Sequence, residues 1–150
     1  MNDNPYCALE LETVVWQLVR QIQLFERDQI AIFGYTSSQY YMLLEISKSP
    51  NVAMNELSRK LNVAISTATR VIDKLEKKGL IERDRAEADR RVVLVSLTKT
   101  GSEILALIQQ GVSQYYENII ANVPNGELTT TLECIKTLLA AFAKANPNCY

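Results

Sequence analysis

The chain has 150 residues, enough for one domain with a substantial core, and no apolar run near the roughly 20 residues needed to cross a membrane. It contains no histidine and no glycine-rich phosphate loop, which removes the usual acid–base and phosphate-cradling machinery of an enzyme and the commonest zinc ligand. A formal net charge of −1 argues against a nucleic-acid binder until its distribution is read: residues 58–91 hold ten Lys/Arg against six Asp/Glu, and the remainder six against eleven.

The first residues, Met-Asn-Asp-Asn-Pro, are polar and acidic, unlike a basic secretory leader, and three cysteines do not make a disulfide framework. Both features point to the cytoplasm. Residues 8–30 read as a long helix, with Leu11, Val14/Val15, Leu18, Ile22 and Phe25 recurring every three or four positions. The apolar connection Ile30-Ala31-Ile32-Phe33-Gly34 follows, stopped by Gly34. Thr36 or Ser37 caps a second helix over Ser38–Lys48, whose Tyr40/Tyr41, Leu43/Leu44 and Ile46 point inward, and Ser49-Pro50-Asn51 ends it.

Two further helices follow, joined by the short connection Asn62 to Ile65. Leu57 and Leu61 share one face of the first. Ala68, Val71, Ile72 and Leu75 make an i, i+3, i+4, i+7 stripe on the second, and Gly79 stops it. That spacing predicts a helix-turn-helix, whose second helix enters the DNA major groove. The outward face of this second helix carries Ser66, Thr67, Thr69 and Arg70, then Asp73, Lys74, Lys77 and Lys78. Short hydroxyls and a guanidinium in the first turns can reach base edges and phosphates, and a helix N-terminus favours an anion. A solvated amphipathic helix with an Asp73–Lys77 pair accounts for the same residues.

The next segments decide between these readings. Leu80–Arg85 and Arg91–Leu97 are strand-like, and the polar Ala86-Glu87-Ala88-Asp89-Arg90 between them is a long hairpin tip without Gly or Pro. A basic hairpin directly after a helix-turn-helix is a wing. Thr98 then caps a helix from about Lys99 to Asn122, with Ile104, Ile108, Val112, Tyr115/Tyr116 and Ile119 on its buried side. After the turn Pro124-Asn125-Gly126, a last helix over Glu127–Lys144 carries Leu128, Leu132, Ile135, Leu138/Leu139 and Phe142 as a near-heptad seam. The fold class is therefore mainly α with a small β-hairpin wing. The apolar faces of the first and last helices call for a second copy of the chain, a twofold homodimer.

The run Leu75-Glu76-Lys77-Lys78-Gly79-Leu80-Ile81-Glu82-Arg83, then Asp89-Arg90-Arg91, then Leu97-Thr98-Lys99-Thr100-Gly101 resembles the MarR family of bacterial transcriptional regulators over residues 36–101. The resemblance implies one MarR-like domain over residues 1–150, with a winged-helix DNA-binding lobe at 36–98 and dimerisation helices at 8–33 and 99–145. It implies a dimer on double-stranded DNA, reading two half-sites about 10 base pairs apart. Ser66, Thr67, Thr69 and Arg70 then lie in the major groove, and Lys74, Lys77 and Arg83 meet phosphates. Arg91 corresponds to the family's minor-groove wing arginine, oriented by an ion pair with Asp89 and supported by Arg90 and Arg85. At the start of the recognition helix, where the family pattern has a Ser or Thr cap, this chain has Ala64; Asn62 is the alternative cap.

By the same resemblance, a small aromatic or phenolic effector would sit between lobe and dimer helices, drawing on Trp16, Arg20, Phe33, Tyr35, Tyr40 and Tyr41, with Tyr115 nearby. An ordinary core role explains most of these aromatics equally well. An oxidant-sensing alternative uses Cys7 at the mouth of the first helix, with Cys134 and Cys149. A reading of another class, a winged helix that docks only on protein, leaves the basic balance of residues 58–91 without a purpose. No cofactor, metal site or catalytic residue is expected.

Overall fold

The centre of the helix-turn-helix region is a three-stranded antiparallel sheet rather than the two-stranded hairpin the sequence suggests. In the computed structural model, which describes residues 5–145 apart from the side chains of Pro5, Tyr6 and Glu26, the strand order is β1-β3-β2. Here β1 is Val52–Ala53, β2 Ile81–Arg85 and β3 Val93–Leu97. Val52 pairs with Val95 and Ala53 with Leu94, while β2 and β3 run from Ile81↔Leu97 to Arg85↔Val93. The extra strand is too short to show a period of two, and it follows Asn51, whose φ of 58° is left-handed. Its pairing with β3 creates it.

The described residues divide at Ser37 and Ser38 into two compact units. The first unit holds helix α1 (Pro5–Phe25) and a π-helical turn (Glu26–Ile30). The helix starts three residues before the expected residue 8, on a proline, whose fixed φ suits a first turn. Phe25 and Ile30 are buried, but Leu9, Leu11, Val14, Trp16, Leu18 and Ile22 are all at least 44% exposed.

The second unit holds α2 (Ser37–Lys48), α3 (Met54–Lys60), α4 (Ile65–Lys77), the sheet, α5 (Lys99–Ala121) and α6 (Leu128–Ala145). Its core draws Met42, Leu43 and Ile46 from α2, Leu57 from α3, Ala68, Ile72 and Leu75 from α4, Val95 from β3, and Leu105 and Ile108 from α5. Each of the larger side chains contributes about 1.5–3 kcal/mol of burial. Only the first half of α5 is covered: Ile104, Val112 and Tyr115 are half-buried, while Tyr116 and Ile119 are exposed at 50% and 43%. Leu105, absent from the expected stripe, is the residue that goes in. Tyr41, expected inward, is 37% exposed, and α6 buries none of its residues.

Three local devices hold the winged helix together. Gly79, at φ 70°, ends α4; its N–H donates to Glu76 O (2.8 Å) and that of Leu80 to Leu75 O (3.1 Å), closing the helix in a left-handed turn. Thr98 caps α5: its hydroxyl accepts from Gly101 N–H (3.0 Å) and donates to Gly79 O (2.7 Å), while its N–H donates to Leu80 O (3.0 Å). Gly101 lies directly against the Leu80 carbonyl. One cluster thus joins the end of α4, the base of β2 and the start of α5.

The recognition helix begins without such a device. Ala64 is its N-cap residue, extended at φ −61° and ψ 145°, with no side-chain cap bond. Asn62 does not take that role; its left-handed φ of 49° ends α3, with Val63 N–H donating to Ser58 O at 3.0 Å. Ala64→Ser restores an acceptor for the free N–H groups of the first turn, on a backbone already in the cap conformation. It should raise unfolding stability by about 0.5–2 kcal/mol, read as a higher urea midpoint at unchanged slope. An unaltered midpoint would mean that solvent already satisfies those groups.

Candidate nucleic-acid interface

Because successive residues of a helix are 100° apart, burying Ala68, Ile72 and Leu75 turns Ser66, Arg70 and Lys77 directly outward, with Thr67 and Lys74 on one flank and Thr69 and Asp73 on the other. Ser66, Thr67, Arg70, Lys74 and Lys77 are exposed, and among the described residues their side chains have no hydrogen-bond or ion-pair partner. Thr69 differs: it is half-buried and its hydroxyl donates to Ile65 O (2.8 Å), so that proton already belongs to the helix. Ile65, 55% exposed on the first turn, lies on the Thr69 flank and lines the groove beside the helix, an apolar residue that the sequence pattern does not single out.

Two acidic residues interrupt this surface, and both are answered by one arginine. Arg83, expected at a phosphate, instead sends its guanidinium to α4. Its Nη2 bonds to Asp73 Oδ1, and its Nε lies 3.4 Å from Glu76 Oε2 without the geometry of a hydrogen bond. The cause is strand alternation. Arg83 is two residues from buried Ile81 and directly opposite fully buried Val95, so its side chain leaves β2 on the core face, toward α4. The Asp73–Lys77 pair expected within the helix is therefore replaced by a pair across to β2.

The wing follows the same logic of local bonds before distant ones. Asp89 Oδ1 accepts the backbone N–H of Arg91 (2.9 Å), its carbonyl accepts that of Val92 (2.9 Å), and Ala86 N–H donates to Val92 O (3.0 Å). Arg85 reaches Arg90 O at 3.4 Å. Among the described residues no ion pair joins Asp89 to the Arg91 guanidinium, contrary to expectation. A carboxylate two residues upstream closes a turn on the backbone and leaves the guanidinium exposed. An open groove of about 290 Å³, lined by Ile65, Thr69, Arg83, Arg91, Val92 and Val93 among others, separates recognition helix from wing.

A model of the MarR family matches residues 35–93. A protein named as a transcriptional regulatory protein for the hcr operon of Thauera aromatica is 32% identical over 114 residues, covering 76% of this chain and 69% of that one. The chain belongs to the MarR family. The transcriptional repressor MdtR of Bacillus subtilis is 30% identical over 101 residues, 65% of each chain. The structure of Streptococcus pneumoniae FabT in complex with DNA superposes with a TM-score of 0.73 at 27% identity, covering 95% of this chain and 99% of that one. This MarR-family chain is thus a winged-helix, DNA-binding transcriptional regulator and not an enzyme.

The residues expected around an effector fall in both units. In the first, Phe33 and Tyr35 are half-buried, and Arg20 stacks over the ring of Trp16, 5.6 Å from its centroid, with both residues exposed. In the second, the buried Tyr40 ring is 5.2 Å from that of Tyr41, and Tyr115 is 6.0 Å from Tyr116. Burial holds the Tyr40 phenol above its ordinary pKa; Tyr116 adds to the shift and Lys48 opposes it. Cys7 and Cys134 are free and exposed, and Cys149 lies outside the described residues. Among the described residues no helix is long and apolar enough to cross a membrane.

Proposed function

We propose that this MarR-family regulator acts in the cytoplasm as a homodimeric repressor, occupying a pseudo-palindromic operator until a small aromatic or phenolic ligand releases it. The carrying observation is the recognition helix itself, whose Ser66, Thr67 and Arg70 are exposed and uncommitted on the face opposite the core. The free guanidinium of Arg91 on the wing supplies the adjacent minor-groove contact; Arg90 stands beside it at the tip. Lys74 and Lys77 continue the helix face toward the backbone phosphates. The second copy is supported by α6, whose Leu132, Ile135, Leu139 and Phe142 are all exposed among the described residues. Repression is supported by the likeness to MdtR. The ligand arm rests on Trp16 and Arg20, an exposed ring and guanidinium suited to an aromatic acid.

The test is binding to the DNA beside the protein's own gene, over a range of salt and against bulk DNA. Specific binding whose affinity falls steeply with salt supports the reading; equal, salt-labile affinity for every fragment removes the operator at that locus. Arg91→Ala should lower operator affinity roughly tenfold per half-site, the scale of one lost specific contact, while sedimentation still reports a dimer. Unchanged affinity would take the minor-groove role from Arg91. A panel of phenolic acids in the same assay tests release separately: if none frees the DNA, the ligand arm falls and operator binding stands.

A further inference from the structure

We infer that Arg83 serves DNA recognition without touching DNA, neutralising from the wing strand the two carboxylates that the recognition helix would otherwise turn toward DNA. This role rests on the DNA-binding reading above and replaces the phosphate contact expected for Arg83.

The geometry carries it. Asp73 and Glu76 belong to α4, the helix that presents Arg70 and Lys77, and their side chains remain 47% and 44% exposed. Uncompensated, two negative charges on that surface repel the polyanion it has to approach. Arg83 answers both from β2, ten positions along the chain from Asp73. Its own side chain is only 26% exposed and its Nε is fully enclosed, so the guanidinium sits behind the helix face rather than on it. Strand register puts it there, on the Ile81 and Val95 side of the sheet. A lysine at this position could not span both carboxylates with one planar fork.

Four proteins separate the roles: the native chain, Arg83→Gln, the pair Asp73→Asn with Glu76→Gln, and the triple variant combining all three. Each is checked for its urea midpoint and then titrated on operator-bearing and bulk DNA at several salt concentrations. The expected result is that Arg83→Gln weakens operator binding at least tenfold, with the slope of log affinity against log salt unchanged. The triple variant should recover to within about threefold of the native chain, since removing the carboxylates removes the need for the arginine. The carboxylate pair alone should bind as well as the native chain or better.

A triple variant as weak as Arg83→Gln, with a salt slope lower by about one per half-site, overturns the proposal and makes Arg83 a phosphate contact. A triple variant that stays weak at full slope also overturns it, leaving Arg83 a packing residue. Full binding by Arg83→Gln overturns it as well. If the native chain binds no DNA at any salt, this role and the proposed function fall together; native binding without rescue sinks this role alone.

Discussion

Alanine at position 101 should destabilise the protein by about 3 kcal/mol or more, lowering the melting temperature by roughly 6–12 °C at fixed protein concentration. In an unobstructed helix the same change is stabilising by about 1 kcal/mol, because alanine is the better helix former. The sign therefore tests the tertiary contact directly. A Cβ on Gly101 would stand 2.8 Å from the Leu80 carbonyl carbon and nearer still to its oxygen. That carbonyl cannot rotate aside as a side chain does. It already accepts the Thr98 N–H, and Thr98 in turn caps α5 and bonds to Gly79 O. Making room means moving the start of α5 away from the base of β2, which pulls apart three elements at once. Urea and thermal melts of native and variant protein decide it: a loss under about 1 kcal/mol would show that α5 slides without penalty.

The second large effect is on specificity. Arg70→Ala should cost roughly 1–3 kcal/mol per half-site, or about 2–6 kcal/mol for a dimer on both, and relax preference at one base pair in each. Arg70 lies one helical turn from Ser66, directly outward from the core, and its guanidinium is unpaired among the described residues. A planar fork in that position suits the two acceptors on a guanine edge. The check is a set of operators altered one base pair at a time, bound by native and variant protein. Loss of discrimination at one symmetric position assigns the base. Equal loss on all sequences, bulk DNA included, assigns Arg70 to a phosphate instead.

Much of the fold is legible without coordinates because it depends on neighbours within a turn or two. The stripe Ala68-Val71-Ile72-Leu75 dictates which side of α4 is buried, and hence that Ser66 and Arg70 face out. Gly79 and Thr98 mark boundaries through conformational freedom and a capping hydroxyl, both properties of single residues. The missing cap at Ala64 is equally visible, since a methyl group accepts no hydrogen bond in any setting. Alternation along Ile81-Glu82-Arg83 even holds the signal that places Arg83 on the core face. The charge of the segment masks that signal, because an arginine among basic residues suits a DNA contact equally well.

What no local pattern contained is the identity of partners distant in sequence. Val52–Ala53 is a strand only because β3 lies beside it. The Asp73 carboxylate meets Arg83 rather than Lys77 because a strand register, and not helix spacing, sets which cation arrives. Asp89 turns to the backbone of Arg91, so the wing tip is ordered without using the guanidinium it was expected to hold. By itself the sequence determined the helix-turn-helix, the wing and the outward recognition face, since periods, caps and left-handed turns are properties of adjacent residues. Only the tertiary structure decided which charges on that face stay free for DNA, because neutralisation depends on groups that folding brings together across elements.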